Sequence, residues 1–295
     1  MSKPVIFVIG ATGNIGAATV QALSNKYAGK FDIRAGVRDP SKADKLRALA
    51  GVTVVQAAQG DKDSLVDVFK GVDALYMVTP PTNNRAELVV KTAEAAKTAG
   101  VKFLLAVSLP SADLTDTYFG KQFNEIETGV KNQNVGYAFI RLPFFYENFL
   151  SLMKDMIESE SIRTPVDPSK PFTSIVAEDA GKASAAVLAD WQKHVGKAYT
   201  IVSERHSFDF VASTISEALG KNIKHVRVSY DEAKKSVLDA GAPDWQVNGL
   251  VDWYKQVDSG SHGANQVDIG DFERLTGEKP TSLKTWLATV AGDFK

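Results

Sequence analysis

Gly10-Ala11-Thr12-Gly13-Asn14-Ile15-Gly16 follows the apolar, β-branched run Val5–Ile9 and leads into Ala17-Ala18-Thr19-Val20-Gln21-Ala22-Leu23. With Val20 and Leu23 one helical turn apart, the stretch reads as strand, tight turn, helix. A dinucleotide pyrophosphate needs that shape: close backbone approach, a sharp turn, and N–H groups exposed at a helix N-terminus. Gly10, Gly13 and Gly16 suit it because side chains there would crowd the turn, the phosphate or the helix packing. Thr12, Asn14 and Ile15 belong to the same cofactor-binding turn. The competing reading is a tight βα turn in an unrelated α/β protein; the flanking strand and helix, in phase with the glycines, favour the nucleotide.

Outward from this turn the alternation continues. Residues 31–37 form a second expected strand, and Pro40-Ser41-Lys42 opens an expected helix with Leu46 and Leu49 on one face. Residues 52–56 are a third strand, followed by Asp61, Asp63 and Ser64 as polar caps of a helix carrying Leu65, Val68 and Phe69. Strands are expected at 74–79, 101–107 and 137–142, with helices at 85–99 and 118–133 between them. Nearly continuous apolar strands separated by helices are what a parallel sheet covered on both faces requires. The fold class is therefore α/β, a Rossmann-type doubly wound parallel sheet.

After Phe144 the pattern loosens. A helix is expected over 146–157, whereas 161–171 holds three prolines and no periodicity, which suits a partly ordered lid. Helices at 177–191, 208–219, 231–240, 245–256, 269–275 and 283–290, strands at 198–202 and 224–228, and a surface loop at 259–263 complete the reading. Residues 1–150 are assigned to the NAD(P)-binding domain. Residues 151–295 are assigned mainly to a smaller C-terminal α/β substrate lobe, some segments of which return to the first domain.

NAD-selective sites often carry an acidic residue about 20 positions beyond the glycines, bonded to the adenosine ribose. Counting on from Gly16 reaches Gly36, too small for that contact; two residues later stands Arg38, whose guanidinium suits a ribose 2′-phosphate. Lys42 adds positive charge, and together they favour NADP(H) over NAD(H). Against this, Asp39 would repel the phosphate unless it points away, and Arg38 also reads as an ordinary surface charge. Thr79 and Pro80, at a strand's carboxyl end, either shape the cofactor's middle or form a rigid strand exit. Asn83 and Asn84 either bond a ligand or cap the next helix.

Composition narrows the function classes. Thirty-four Lys and Arg against thirty-five Asp and Glu give a net charge of −1, so no bulk field draws the chain to nucleic acid or anionic lipid. Cysteine is absent, which excludes disulfides, thiol catalysis and cysteine-ligated metals, and the four histidines show no metal-ligand spacing, so no metal is expected. No secretion signal and no apolar run long enough for a bilayer are visible, so a cytoplasmic protein without membrane insertion is expected.

The chain resembles the NmrA-like group of atypical short-chain dehydrogenase/reductases, which includes triphenylmethane reductase and an NAD(P)H-quinone oxidoreductase. The resemblance rests on the glycine turn, Val37-Arg38-Asp39-Pro40-Ser41-Lys42, Gly60-Asp61, Ser108, Ile140-Arg141-Leu142-Pro143-Phe144-Phe145-Tyr146-Glu147-Asn148-Phe149, and Leu275-Thr276-Gly277-Glu278-Lys279-Pro280-Thr281-Ser282-Leu283. It spans nearly the whole chain, and it implies a nicotinamide site in the cleft between the sheet and the C-terminal lobe. It makes Arg38 the basic residue for the adenosine phosphate, gives Ser108 a place in the loop after the fifth strand, and puts Pro143, Phe144 and Phe145 near the nicotinamide ring. Phe144, Phe145 and Tyr146, with Asn148 at the start of the next helix, either line an aromatic substrate slot or, for the three aromatics, serve as core.

One departure concerns proton transfer. The wider short-chain dehydrogenase group uses a Tyr-x-x-x-Lys pair, in which the ammonium lowers the phenol pKa; this sequence has none. In the isoflavone-reductase-like and quinone-reductase branches a lysine or histidine serves instead, and spacing back from Tyr137 puts that position at Phe123. Lys121 lies about 200° away around an ideal helix. It reads as either a cofactor or substrate contact or a solvated surface residue, and Tyr118 and Ser108 are the other catalytic candidates. The resulting expectation is an NADPH-dependent reductase of quinone-like or conjugated aromatic acceptors. The alternative is a non-catalytic NADP-binding regulator with a protein partner.

Overall fold

The computed structural model describes residues 3–261 and 267–294. Its strands are β1 (Val5–Ile9), β2 (Asp32–Val37), β3 (Val52–Gln56), β4 (Ala74–Met77), β5 (Phe103–Ser108), β6 (Gly136–Arg141), β7 (Phe144–Phe145), β8 (Ser161–Thr164), β9 (Phe172–Ile175), β10 (Lys197–Thr200), β11 (Glu204–His206) and β12 (Lys224–Arg227). The helices needed below are α1 (Asn14–Lys26), α2 (Asp44–Arg47), α3 (Lys62–Val68), α4 (Arg85–Ala99), α5 (Tyr118–Lys131), α6 (Glu147–Ser159), α7 (Ala177–Ala189), α8 (Phe208–Leu219), α9 (Tyr230–Asp239) and α10 (Asp244–Ser259).

Seven strands form one parallel sheet in the order β10-β6-β5-β4-β1-β2-β3. The strand order reverses between β1 and β4, and ligands of open α/β sheets settle outside the carboxyl ends of strands at such a point. Every residue of β4 and β5 is buried, while the edge strands β3 and β10 are partly exposed. Continuous apolar strands thus sit where both faces are covered. Helices α1 and α7 close one face over Val8, Ala35, Tyr76 and Leu105. Helices α3, α4 and α5 close the other over Phe7, Leu75, Leu104 and Phe139.

The chain's later part builds a second core around Phe149, Phe172, Phe208, Val211 and Leu287. There β11-β9-β7 form a three-stranded sheet and β8 pairs with β12. Two segments of this half join the large sheet: β10 extends it beyond β6, and α7 lies against α1. The helices Asp271–Thr276 and Leu283–Val290 close the fold.

Three expectations change. Residues 161–164, expected to be irregular, are strand β8 in register with residues 224–227, and Val166 is fully buried behind them. A partner strand some sixty residues away supplies the main-chain bonds, and local periodicity carries no trace of it. The helix expected from Pro40 is a 3-10 turn, Pro40–Lys42, followed by the four-residue α2, because Asp39 caps the turn and Ala43 leaves helical geometry. In the loop expected at 259–263, Ser259 ends α10 and Gly260 caps it with positive φ, while His262 and Gly263 lie outside the described residues. Among the described residues, no helix is long and apolar enough to cross a membrane.

Candidate dinucleotide and substrate site

The turn between β1 and α1 is held by main-chain bonds. Gly10 and Ala11 N–H both donate to Gly36 O at 3.1 Å, and Gly13 N–H donates to Gly10 O at 3.1 Å. Gly10 has φ +84, a left-handed conformation that L side chains rarely adopt. At Gly16 a Cβ would lie 2.3 Å from Gly10 O and 2.9 Å from the Ala11 Cα, so this glycine sets how closely the helix meets the turn. Gly13 differs: its φ of −76 suits any residue, and a Cβ would meet only Gly10 O, at an ordinary 3.5 Å.

The helix's own ladder begins with Ala17 N–H to Gly13 O at 2.8 Å, and among the described residues no main-chain acceptor is found for the N–H groups of Asn14, Ile15 and Gly16. No side chain caps α1 and no acid stands in its first turn. Orphan donors, an uncompensated positive helix end and an open Gly13 make a cradle that fits a pyrophosphate.

On the adenosine side, Gly36 leaves no room for an acidic side chain: a Cβ there would lie 2.4 Å from the Phe7 ring. Arg38 is exposed and, among the described residues, pairs with no carboxylate. Asp39 is turned to other work, accepting from Ser41 N at 3.0 Å and Ser41 Oγ at 2.6 Å. Those two bonds, more than the Lys42 ammonium 3.8 Å away, hold the Asp39 carboxyl below its usual value. Arg38 and Lys42 therefore stand as free or weakly held cations at the end of β2, and the residues present fit a nucleotide bearing a 2′-phosphate.

A cavity of ≈1040 Å³ opens at the carboxyl edge of the sheet and runs under the second core. Ile15, Thr79, Pro80 and Ser108 border it on the sheet side, and Pro143, Phe144, Phe145 and Asn148 where the chain crosses to the lobe. Thr79 Oγ1 donates to Val107 O at 3.0 Å, tying the exits of β4 and β5 together. Phe144 stacks on Trp253 of α10 with ring centroids 4.8 Å apart.

Tyr146 is not part of this wall. It is fully buried, its ring between His206 and Trp286 and its hydroxyl donating to Glu204 Oε2 at 3.3 Å, so it is core beneath the site.

Behind Ser108 lies a buried ionic network. The register of β5 and β6 sets Ser108 beside Arg141, and α5 lowers Glu127 onto both. Ser108 Oγ donates to Glu127 Oε1 at 2.7 Å, and Arg141 Nε and Nη2 donate to Glu127 Oε1 and Oε2 at 2.9 Å each. Burial alone would raise the Glu127 carboxyl, but the Arg141 and Ser108 hydrogen bonds and the Arg141 and Lys131 charges outweigh it and hold it below the ordinary glutamate value. Glu127 is thus an ionised anchor rather than a proton donor.

Comparison with known proteins agrees with this geometry. The sequence profile of the NmrA-like family matches residues 2–286. The chain belongs to the NmrA-like family. It is similar to quinone oxidoreductase 2 of Escherichia coli, 28% identical over 282 residues that cover 95% of this chain and 96% of that protein. Among solved structures, Citrobacter triphenylmethane reductase complexed with NADP(H) superposes with TM-score 0.84 at 28% identity, covering 97% of this chain and 99% of that one. The E. coli NADPH-dependent quinone oxidoreductase complexed with NADPH superposes with TM-score 0.84 at 25% identity, covering 98% and 99%. The chain shares its fold with these NAD(P)H-dependent oxidoreductases.

Within this NmrA-like chain, helix α5 carries Tyr118, Lys121 and Phe123, the three residues of that helix considered for proton transfer. Phe123 borders the cavity and is buried. Lys121 is exposed and does not line it, because two residues along a helix carry a side chain to the far side. Tyr118 does not line it either; its hydroxyl donates to Asn83 Oδ1 at 2.7 Å. Sequence reasoning missed the groups that α4 and α10 bring in: Arg85, the first residue of α4, and Trp245 and Trp253 of α10. A cation in the first turn of a helix, opposed to the helix dipole, was the visible signal for Arg85.

Proposed function

We propose that the chain is an NADPH-dependent reductase that delivers hydride to a quinone-like or other conjugated aromatic acceptor. The supporting observation is that Ile15 of the phosphate turn and Phe144, stacked on Trp253, line one continuous cavity, so nucleotide and a flat acceptor have adjoining places. In this reading Gly10, Thr12, Gly13, Asn14, Ile15 and Gly16 hold the pyrophosphate, and Arg38 and Lys42 hold the adenosine 2′-phosphate. Thr79, Pro80, Ser108, Pro143, Phe144 and Phe145 border the nicotinamide end, and Phe144, Phe145 and Asn148 meet the acceptor. Residues 1–150 carry the cofactor, and most of 151–295 forms the substrate side.

Bound NADPH supplies the hydride; the protein supplies position and exclusion of water. Ser108 has committed its proton to Glu127, Glu127 is ionised, and Phe123 exchanges none. A quinone suits such a site because its reduced oxygen takes a proton from water, whereas an unactivated ketone needs an acid in place. The NADP(H) and NADPH found with the triphenylmethane reductase and the quinone oxidoreductase support the same cofactor here.

The test is NADPH oxidation across a series of quinones and aromatic aldehydes. Acceptor-dependent loss of NADPH absorbance is expected; nucleotide-dependent binding of a protein partner with no NADPH consumed would favour a regulator instead. Arg38→Ala is expected to raise the NADPH dissociation constant by ~10-fold or more, the worth of a charge-assisted bond, and to leave NADH within about twofold. Equal losses for both nucleotides would remove Arg38 from phosphate recognition.

A further inference from the structure

Arg85 is 8% exposed, yet its guanidinium faces no carboxylate within ion-pair distance among the described residues. Its Nε donates to Thr82 O at 3.0 Å, which fixes the fork's direction, and among the described residues no hydrogen bond engages its two Nη groups. Three rings surround it: Trp245 at 4.8 Å, Phe119 at 5.2 Å and Phe123 at 5.5 Å from the guanidinium carbon. All four side chains border the cavity. A cation in an aromatic cage is partly compensated by the ring faces, but rings accept none of its planar N–H donors.

Burial pulls the Arg85 pKa down to about 10, which leaves the group charged at neutral pH. A second feature adds to the imbalance. Arg85 opens the fifteen-residue α4 and so sits on the positive end of its dipole, and the cap residue Asn84 makes no side-chain capping bond there. Glu87, the acid of the same helical turn, pairs with Lys91 at 2.6 Å and not with Arg85. A buried guanidinium without an anionic partner is costly, and the cavity is the place from which a partner can come.

From this geometry we infer that Arg85 is the subsite for an anionic oxygen group, a carboxylate or sulfonate, carried on the aromatic acceptor. The inference rests on the reductase reading and deepens it. The planar fork gives a carboxylate or sulfonate two parallel donors, while Phe119, Phe123 and Trp245 pack the ring that bears it. Phe123 acquires a role here: at the position where relatives are expected to carry a proton-transfer group, this chain has a wall of the cation cage. Arg85 is then a specificity-determining residue, acting on which acceptor binds rather than on hydride transfer.

The experiment compares naphthoquinone sulfonate with unsubstituted naphthoquinone, by calorimetry on the NADP-saturated protein and separately by NADPH oxidation. The wild type is expected to bind the sulfonate at least ~10-fold more tightly than the parent quinone, a charge-assisted pair's worth. Arg85→Met is expected to abolish that preference, raising KM for the sulfonate while leaving kcat and the parent's KM within about twofold; Arg85→Lys, which keeps charge but loses the fork, falls between. Equal affinity of the wild type for both quinones, or equal loss on both in Arg85→Met, overturns the assignment. Anion preference in binding without any NADPH oxidation would overturn the reductase reading and leave the anion subsite standing; oxidation of both quinones with no preference would do the reverse.

Discussion

Gly13→Val is expected to fold like the wild type and to lose NADPH and NADH binding by ~100-fold or more, whereas Gly16→Val loses binding through damage to the turn itself. At Gly16 the new Cβ would sit 2.3 Å from Gly10 O and 2.9 Å from Ala11 Cα, and both are main chain that cannot swing aside. Helix α1 must lift off the turn, which moves the N–H groups of Asn14, Ile15 and Gly16 away from any phosphate. At Gly13 a Cβ would meet, among the described residues beyond its chain neighbours, only Gly10 O at 3.5 Å, so the turn has room for it and the nucleotide does not. Two or three charge-assisted main-chain bonds lost together amount to roughly 3 kcal/mol or more, hence the size of the expected effect. Thermal denaturation and nucleotide titration of both variants decide the matter. A Gly13→Val protein that still bound NADPH normally would take the pyrophosphate away from this turn.

Arg141→Met is expected to cost stability on the order of 3–5 kcal/mol, the usual result of stranding one member of a buried pair. Glu127 has a side chain only 5% exposed and depends on Arg141 for two bonds at 2.9 Å. Lys131, at 3.4 Å and half-exposed, cannot replace them. Against the ~5–15 kcal/mol typical of a folded domain, the loss is large, and a fall in melting temperature reads it directly. Glu127→Gln should cost less, since the amide oxygen still accepts from Arg141 or Ser108.

The same pair makes a signed pH prediction. Glu127 titrates below its ordinary value of 4.5 in the folded protein, so the unfolded chain binds its proton first as pH falls. Its stabilising contribution is therefore complete above that value and is lost as pH drops through the folded pKa. The stability gap between wild type and Glu127→Gln should be constant near neutrality and shrink below about pH 4.5. A gap that stayed constant into that range would mean that Arg141 does not hold Glu127 ionised. Because Ser108 is anchored by the same carboxylate, acceptor KM in Arg141→Met should move along with stability.

What could be read from the chain alone was local in origin. The phosphate turn is one continuous heptapeptide whose glycines act within a few residues of each other, as the contact between the Gly16 position and Gly10 O demonstrates. The alternation of buried strands and helices is likewise written in neighbouring residues, and it specified the sheet through β6. The absence of an acid at Gly36 and the phenylalanine at position 123 were visible as single letters. The substrate side depends on residues far apart in sequence. Tyr146 and Phe144 are two residues apart in one aromatic run, yet one is core and the other cavity wall, because Trp286 and His206 close over the first and Trp253 stacks on the second. The pairing of β8 with β12 and the enclosure of Arg85 by α5 and α10 have the same cause. A periodicity reports which face of an element is apolar but not which distant element will cover it, and that choice of cover decides whether a ring, a cation or a carboxylate ends up in the site.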